Sequence, residues 1–267
     1  MMRLHNNRHS LSWVLMWMFS SVILVSGSIL LGRFYYLHIH NQRLNDDAYN
    51  IAAIVQTGSV KNALPTVYLA EVIGLSVDKR INIYQFDTIE ARKNLIASPV
   101  IKDADVIAIP PETVYVDYTV REPVAYLADY DNAAIDEEGV MFPVSPFFTP
   151  KRIPEVYIGI ADEELPWESK IEDIRLDIMF DIIKKLSSVE NFFEVVRIDV
   201  SQAYADSYGK RQIAVFLNDC DKERVLRLST RNYAQELGNY IVLSDAIRKR
   251  GDAVIDMRIS QLAFILD

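Results

Sequence analysis

The chain has 267 residues, half of them apolar and 24% charged, a balance that excludes a disordered chain or a coiled coil and leaves room for two modest domains. Four of its 28 basic residues, Arg3, Arg8, Arg33 and Arg43, precede residue 44, while all 37 acidic residues follow it, so the remainder carries a net −13 and is no nucleic-acid reader. The single cysteine, Cys220, excludes an intramolecular disulfide and a multi-thiolate zinc site, and reads as a small packing residue.

Residues 1–10 form a short tail ahead of "LSWVLMWMFSSVILVSGSILLG", residues 11–32, which holds no charged residue in 22 positions. At about 1.5 Å per residue this stretch spans ~33 Å as a helix, the thickness of a bilayer's hydrocarbon core. Its Leu, Ile, Val and Phe residues favour insertion by about 3 to 7 kcal/mol before the serines and glycines are counted against it. A cleavable signal peptide is the alternative, with Val25-Ser26-Gly27 as the small-residue cleavage site, but such apolar regions run to only about 7–15 residues. We expect a membrane anchor with the N-terminus cytoplasmic and everything beyond residue 32 exported. Residues 33–48 are read as a juxtamembrane linker.

"YNIAAIVQTG", residues 49–58, reads as a strand closed by Gly58. "PTVYLAEVIG", residues 65–74, reads as a helix with Pro65 in its first turn and Gly74 as its left-handed stop. Asp87, with Glu90 three residues on, has the spacing of a helix N-cap, and this second helix ends before Pro99. "VIKDADVIAI" gives a strand, and "VYVDYTV" gives another in which Val114, Val116, Tyr118 and Val120 alternate with polar neighbours. Arg121-Glu122-Pro123 then interrupts the ladder, because proline brings no donor. The order strand, helix, helix, strand, strand makes residues 49–123 a complete small domain, with the helices covering one sheet face.

Beyond the junction, "VAYLADYDNAAIDEEGVMFPV" reads as short strands turning near Asp129–Asn132 and Gly139. Residues 168–187 carry Ile171, Ile174, Ile178, Ile182 and Leu186 at helical spacing. "FFEVVRIDVS", "RQIAVFLND" and "RVLRLST" read as strands, residues 231–250 as a helix closed by Gly251, and "AVIDMRISQLAFIL" as the last strand. The fold class is α+β: one transmembrane helix, a small domain, and a mixed second domain, residues 124–267, with a largely antiparallel sheet.

Catalytic chemistry finds little to work with. All four histidines, His5, His9, His38 and His40, flank the membrane segment, which leaves the two domains beyond residue 48 without the usual general base. No glycine-rich phosphate cradle occurs. The acid runs Asp136-Glu137-Glu138 and Asp162-Glu163-Glu164 have the composition of solvated turns, and "DYDNAAIDEE" lacks the glycine and ligand spacing of a calcium loop. No metal or other cofactor is expected.

Several segments together resemble the FtsQ/DivIB family of bacterial cell-division proteins. "IVQTGSV" is similar to the family's first POTRA strand and turn, and "LIASPVIKDADVIAIPPETVYVDYTVREPVAYL" to its helix, two strands and Glu-Arg-Pro-type junction, here Arg121-Glu122-Pro123. "AAIDEEGVMFPV" is similar to the hairpin that follows, and "VIDMR" to the Val-Asp-Leu-Arg element before the last strand. The resemblance implies a POTRA domain over residues 49–123 and a β domain over residues 124–267. It implies no enzyme but a scaffold of the inner membrane at the division septum, linking early and late division proteins and binding FtsB/DivIC-like and FtsL-like partners. The partner would add a strand to an open edge at about Ile255–Leu266, with Ile255, Asp256, Met257, Arg258, Ile259, Ser260, Leu262 and Phe264 as contacts. Ile259 stands where some relatives have an aromatic residue. The alternative is a POTRA-bearing component of a transport or secretion apparatus, or, from the residues alone, a plain core strand.

Overall fold

A computed structural model describes residues 8–58, 62–76, 78, 80–160, 165–187, 193–219, 222–247 and 250–266, with residues 8–11 described by their backbone only. The fold is α+β, with one long apolar helix followed by two mixed sheets. Its residues fall into two compact units, the first made of Met1–Thr57, Thr66–Asn94 and Asp105–Asp117, the second of Gly58–Pro65, Leu95–Ala104 and Tyr118–Asp267.

The first unit begins with α1, Arg8–Leu44, about 55 Å long at 37 residues. From Ser12 onward it is long and apolar enough to cross a membrane. Trp13, Phe19, Ile23 and Leu31 are all exposed on it. The stretch expected as a linker after residue 32 is helical as far as Leu44, since nothing from Arg33 to Leu44 is Gly or Pro. The helix stops where Asn82, buried, donates its amide to the carbonyls of Arg43 at 2.8 Å and Leu44 at 3.2 Å. These carbonyls have no partner within the helix, so the amide serves as its cap. The Arg43 guanidinium lies over the rings of Tyr49 and Tyr84, 5.9 and 5.8 Å from their centroids.

A 3-10 turn at Asp47–Tyr49 leads to β1, Ala53–Thr57, shorter than the expected strand. Helix α2, Thr66–Val72, ends as its glycine requires: Gly74 takes φ +77°, and the Leu75 N–H reaches back to Ala70 O at 2.8 Å. Helix α3, Thr88–Ile96, starts at the expected cap, with Asp87 Oδ1 accepting from the N–H groups of Ile89 and Glu90 at 2.9 and 3.0 Å.

Strands β2, Ile101–Ile109, and β3, Thr113–Val120, are joined by three residues, which only an antiparallel hairpin allows. The sheet order is β1-β3-β2, with β1 parallel to β3 in the register Ala53↔Thr113 to Thr57↔Asp117. The alternation along β3 is as read: Val114, Val116, Tyr118 and Val120 are buried, and Asp117 and Thr119 exposed. In the second unit, a Cβ on Gly58 would meet the Tyr118 ring at 2.9 Å, so only glycine lets that ring pack there. The Tyr118 hydroxyl accepts from the Leu64 N–H at 2.9 Å.

The second unit also holds β4, Ala125–Leu127; β5, Ala133–Ile135; β6, Met141–Pro143; β7, Glu155–Tyr157; α4, Ile174–Ser187; β8, Glu194–Asp199; β9, Ile213–Asn218; β10, Glu223–Leu228; α5, Tyr233–Ile247; β11, Ala253–Asp256; and β12, Phe264–Leu266. The sheet order is β12-β11-β10-β9-β8-β7-β4-β5-β6. Five of its eight pairings are antiparallel, in keeping with the largely antiparallel sheet expected, and β4/β7, β7/β8 and β10/β11 pair in parallel. Helices α4 and α5 are the crossovers that make two of these parallel pairings possible.

Helix α4 begins six residues later than expected, because the Asp173 carboxylate accepts from the Arg175 N–H at 2.8 Å and caps it there. Ile171, Ile178, Ile182 and Leu186 of the expected stripe are buried as read. Leu176, Ile178, Met179, Ile182 and Leu186 are buried, whereas Ile174 is exposed. These residues pack with Ile198, Val215, Leu226, Tyr240 and Ile255 in one contiguous core.

Candidate functional site: the margin of the large sheet

The C-terminal margin is built outward from a buried arginine. Arg224 on β10 is 1% exposed, and its guanidinium donates to the carbonyls of Gly251, of Arg250 at 3.0 Å and of Ile247 at 3.3 Å. It therefore closes the C-terminal end of α5, where carbonyls lack helical partners, and turns the chain into β11. Nothing in the sequence distinguishes Arg224 from a surface arginine on an alternating strand, and sequence reading missed it.

Strand β11 is not an edge. It pairs in parallel with β10 through Leu226↔Ile255 and Arg227↔Asp256, and antiparallel with β12 through Ile255↔Ile265 and Asp256↔Phe264. The single edge strand expected from Ile255 to Leu266 is instead a hairpin. Its chain turns where Leu262 N–H donates to Ile259 O at 3.1 Å and Gln261 takes φ +63°. Ile255 and Met257 are buried, and the Met257 N–H donates to Arg227 O at 2.9 Å.

Asp256 and Arg258 brace one another rather than facing outward. Arg258 Nη2 lies 2.6 Å from Asp256 Oδ2, and its Nε 2.9 Å from Oδ1. Arg258 Nη1 also donates to Gly209 O at 3.1 Å. The guanidinium holds the Asp256 carboxyl below its usual range. The expected contacts that remain at the surface are Ile259, Ser260, Leu262 and Phe264, and Leu266 joins them. Ile259, Leu262, Phe264 and Leu266 are half or more exposed, while Ile265 between the last two packs on the core. An outermost strand with an apolar outer surface presents unpaired main-chain donors and acceptors beside side chains that gain by burial.

The junction residues form a second constellation in the same unit. Arg121 Nη1 donates to Asp136 Oδ2 at 2.8 Å, and Asp136 Oδ1 accepts from the N–H groups of Glu138 at 3.0 Å and Val140 at 2.9 Å. Asp136 is 2% exposed, which corrects its reading as part of a solvated acid run. Its neighbours do sit at the surface, where Lys102 Nζ approaches Glu138 Oε1 at 2.7 Å and holds that carboxyl below its usual range. Glu122 is exposed and Pro123 buried, and the Val124 N–H then donates to Ile135 O at 2.9 Å, opening the next ladder.

Asp129, at the start of "DYDNAAIDEE", spends its carboxylate on the N–H groups of Ile158, Gly159 and Ile160, each at 2.7 Å. Among the described residues no group of three His, Cys, Asp or Glu is placed to hold a metal ion. His38 and His40 lie on α1, stacked on Phe34 and Tyr36. Cys220, His5 and the run Asp162-Glu163-Glu164 lie outside the described residues.

No family model matches the chain, and no curated protein matches it.

Proposed function

We propose that this chain is a membrane-anchored cell-division scaffold of the FtsQ/DivIB kind, acting by binding and not by catalysis. On this reading α1 is the single anchor in the inner membrane, with the N-terminus cytoplasmic and the two sheets exported. The order β1-α2-α3-β2-β3 supports a POTRA domain over residues 49–123, and the nine-stranded sheet supports a β domain after it. An FtsB/DivIC-like partner, joined by an FtsL-like one, adds a strand at the C-terminal margin of that sheet at the septum, next to other divisome membrane proteins.

The observation that carries this reading is β12, the outermost strand of the large sheet, with Phe264 and Leu266 exposed beside its unpaired side. The docking strand is thus β12, with Ile259 and Leu262 at the hairpin tip, and Ile255, Asp256, Met257 and Arg258 lie behind it as support. The test is to mix the full chain in detergent with the exported part of the cognate FtsB-like protein, with and without Phe264→Glu plus Leu266→Glu and, separately, Ile265→Pro. Loss of the complex in both variants, and recruitment of a fluorescent fusion to the division plane, is the expected result. Equal binding by all three chains overturns the reading.

A further inference from the structure

The first unit has an open strand margin of its own. Strand β1 is outermost in its sheet, and on its outer side the extended segment before β2 and β3 has already begun a pairing that it does not complete. Asn50 bridges Asn82 in antiparallel fashion, and the Ile51 N–H donates to Ile81 O at 2.9 Å. The next residue, Ala52, donates the other way, to Glu112 O at 2.9 Å. From Ala53 to Thr57 no strand among the described residues continues the line that residues 81 and 82 began. Beside that vacancy runs a groove of about 770 Å³ between β1 and α2, floored by Ile54, Val67 and Ala70. Val67 is 69% exposed, a large apolar side chain on a short helix that no described residue of the unit covers.

The rim of the groove selects its occupant. Among the described residues, Asp47, Glu71, Asp78 and Glu112 line it against Arg80 alone, and all four carboxylates are exposed. Among the described residues no ion pair engages Glu71, Asp78 or Glu112. We propose that this groove is a second docking site, which takes an extended segment of another protein as an added strand on β1, with apolar residues alternating with lysine or arginine. Main-chain hydrogen bonds to β1 supply the attachment. Alternate apolar side chains enter between Ile54 and Val67, and the cationic ones between them meet the acidic rim. The site is separate from the C-terminal margin and does not depend on the function assigned to it.

The probe is the octapeptide acetyl-(Val-Lys)4-amide, fluorescently labelled, titrated into the full chain in nonionic detergent with empty micelles as the blank. Saturable binding that weakens at least tenfold between about 20 and 300 mM salt is expected, because exposed charges are screened over this range. Two comparison peptides isolate the parts: (Val-Glu)4 is expected not to bind, and (Val-Lys)4 with alternate amides N-methylated to bind at least tenfold more weakly. Glu71→Lys with Asp78→Lys is expected to cost at least tenfold, and Val67→Ser several-fold, both with unchanged near-ultraviolet circular dichroism. No binding of the lysine peptide at millimolar concentration overturns the proposal. So do equal affinity of the N-methylated peptide, unchanged affinity in both variants, or a sedimentation mass showing that a second copy of the chain fills the groove.

Discussion

Arg121 and Asp136 form an ion pair at 2.8 Å with both side chains almost withdrawn from solvent, 13% and 3% exposed. The pair stands where β3 ends and the β4/β5 ladder opens, and Asp136 also orders its own turn through two backbone N–H groups. Proline at 123 stops one ladder, and the arginine two residues earlier fixes where the next begins.

Removing one partner of a buried pair leaves the other charge without compensation, at a cost of about 3–5 kcal/mol. Arg121→Ala is therefore expected to lower the thermal midpoint strongly, read by near-ultraviolet circular dichroism of the full chain in detergent. Arg121→Ala with Asp136→Asn is expected to cost less than the two single changes added together, since the neutral amide no longer demands a cation. Additive losses would mean that the two side chains do not act as a pair.

Arg224 makes a comparable prediction with a different reporter. Arg224→Met keeps the apolar stem and takes the three donated hydrogen bonds from the carbonyls of Ile247, Arg250 and Gly251. Leaving buried acceptors unmet costs about 1–3 kcal/mol each before relaxation. Amide exchange is expected to accelerate through β11 and β12, with the amides of α3 unchanged. Uniform acceleration throughout the chain would instead indicate global loss of stability.

How much of this was legible in the sequence depended on whether burial leaves a mark in residue type. Along β3 it does: period two with Val, Val, Tyr and Val on one side gave both the strand and its buried face. The caps at Asp87 and Gly74 were legible for the same reason, since each position demands a particular residue chemistry. Asp136 was not, because an aspartate buried against Arg121 and one in open solvent have the same letter and the same acidic neighbours. The β11/β12 hairpin was hidden too. "RISQLA" turns without glycine or proline, and its alternation runs on through the turn as if one strand continued. The parallel pairings around α4 and α5 lay beyond local pattern altogether, because pairing direction is decided by the crossover.

Tyr240 on α5 gives a prediction in alkaline solution. Burial, with the Asp219 carboxylate adding to it, pushes its phenol up to about 12 from an ordinary 10. The folded chain therefore holds the proton over a range where the unfolded chain releases it. This contribution is fully present below pH 10 and is lost as pH rises from 10 towards 12, on the order of 2–3 kcal/mol in all. Denaturant midpoints measured from pH 8 to 11 are expected to fall at the top of the range, and less steeply in Tyr240→Phe. A slope that is the same in both proteins would assign the effect to other groups.

The hairpin turn ties local backbone conformation to the exposed margin. Gln261 sits at φ +63°, a conformation glycine adopts freely and a β-branched residue rarely. The turn alone joins β12 to β11, and β12 has only Ile265 packed on the core, so its pairing rests on three residues of ladder and the geometry of that turn. Gln261→Val is expected to cost about 1–3 kcal/mol of hairpin stability through backbone strain. Gln261→Gly is expected to change it by less than about 1 kcal/mol, since relief of strain is offset by the freer unfolded chain. Neither change touches Phe264 or Leu266, so any effect on strand addition at this margin must pass through the order of β12. Amide-exchange protection at residues 264–266 and, on the proposed function, affinity for an FtsB-like partner should therefore weaken together in Gln261→Val and stay near the parent values in Gln261→Gly. Undiminished affinity in Gln261→Val, with exchange at those amides clearly faster, would show that the partner does not need β12 preformed as a strand.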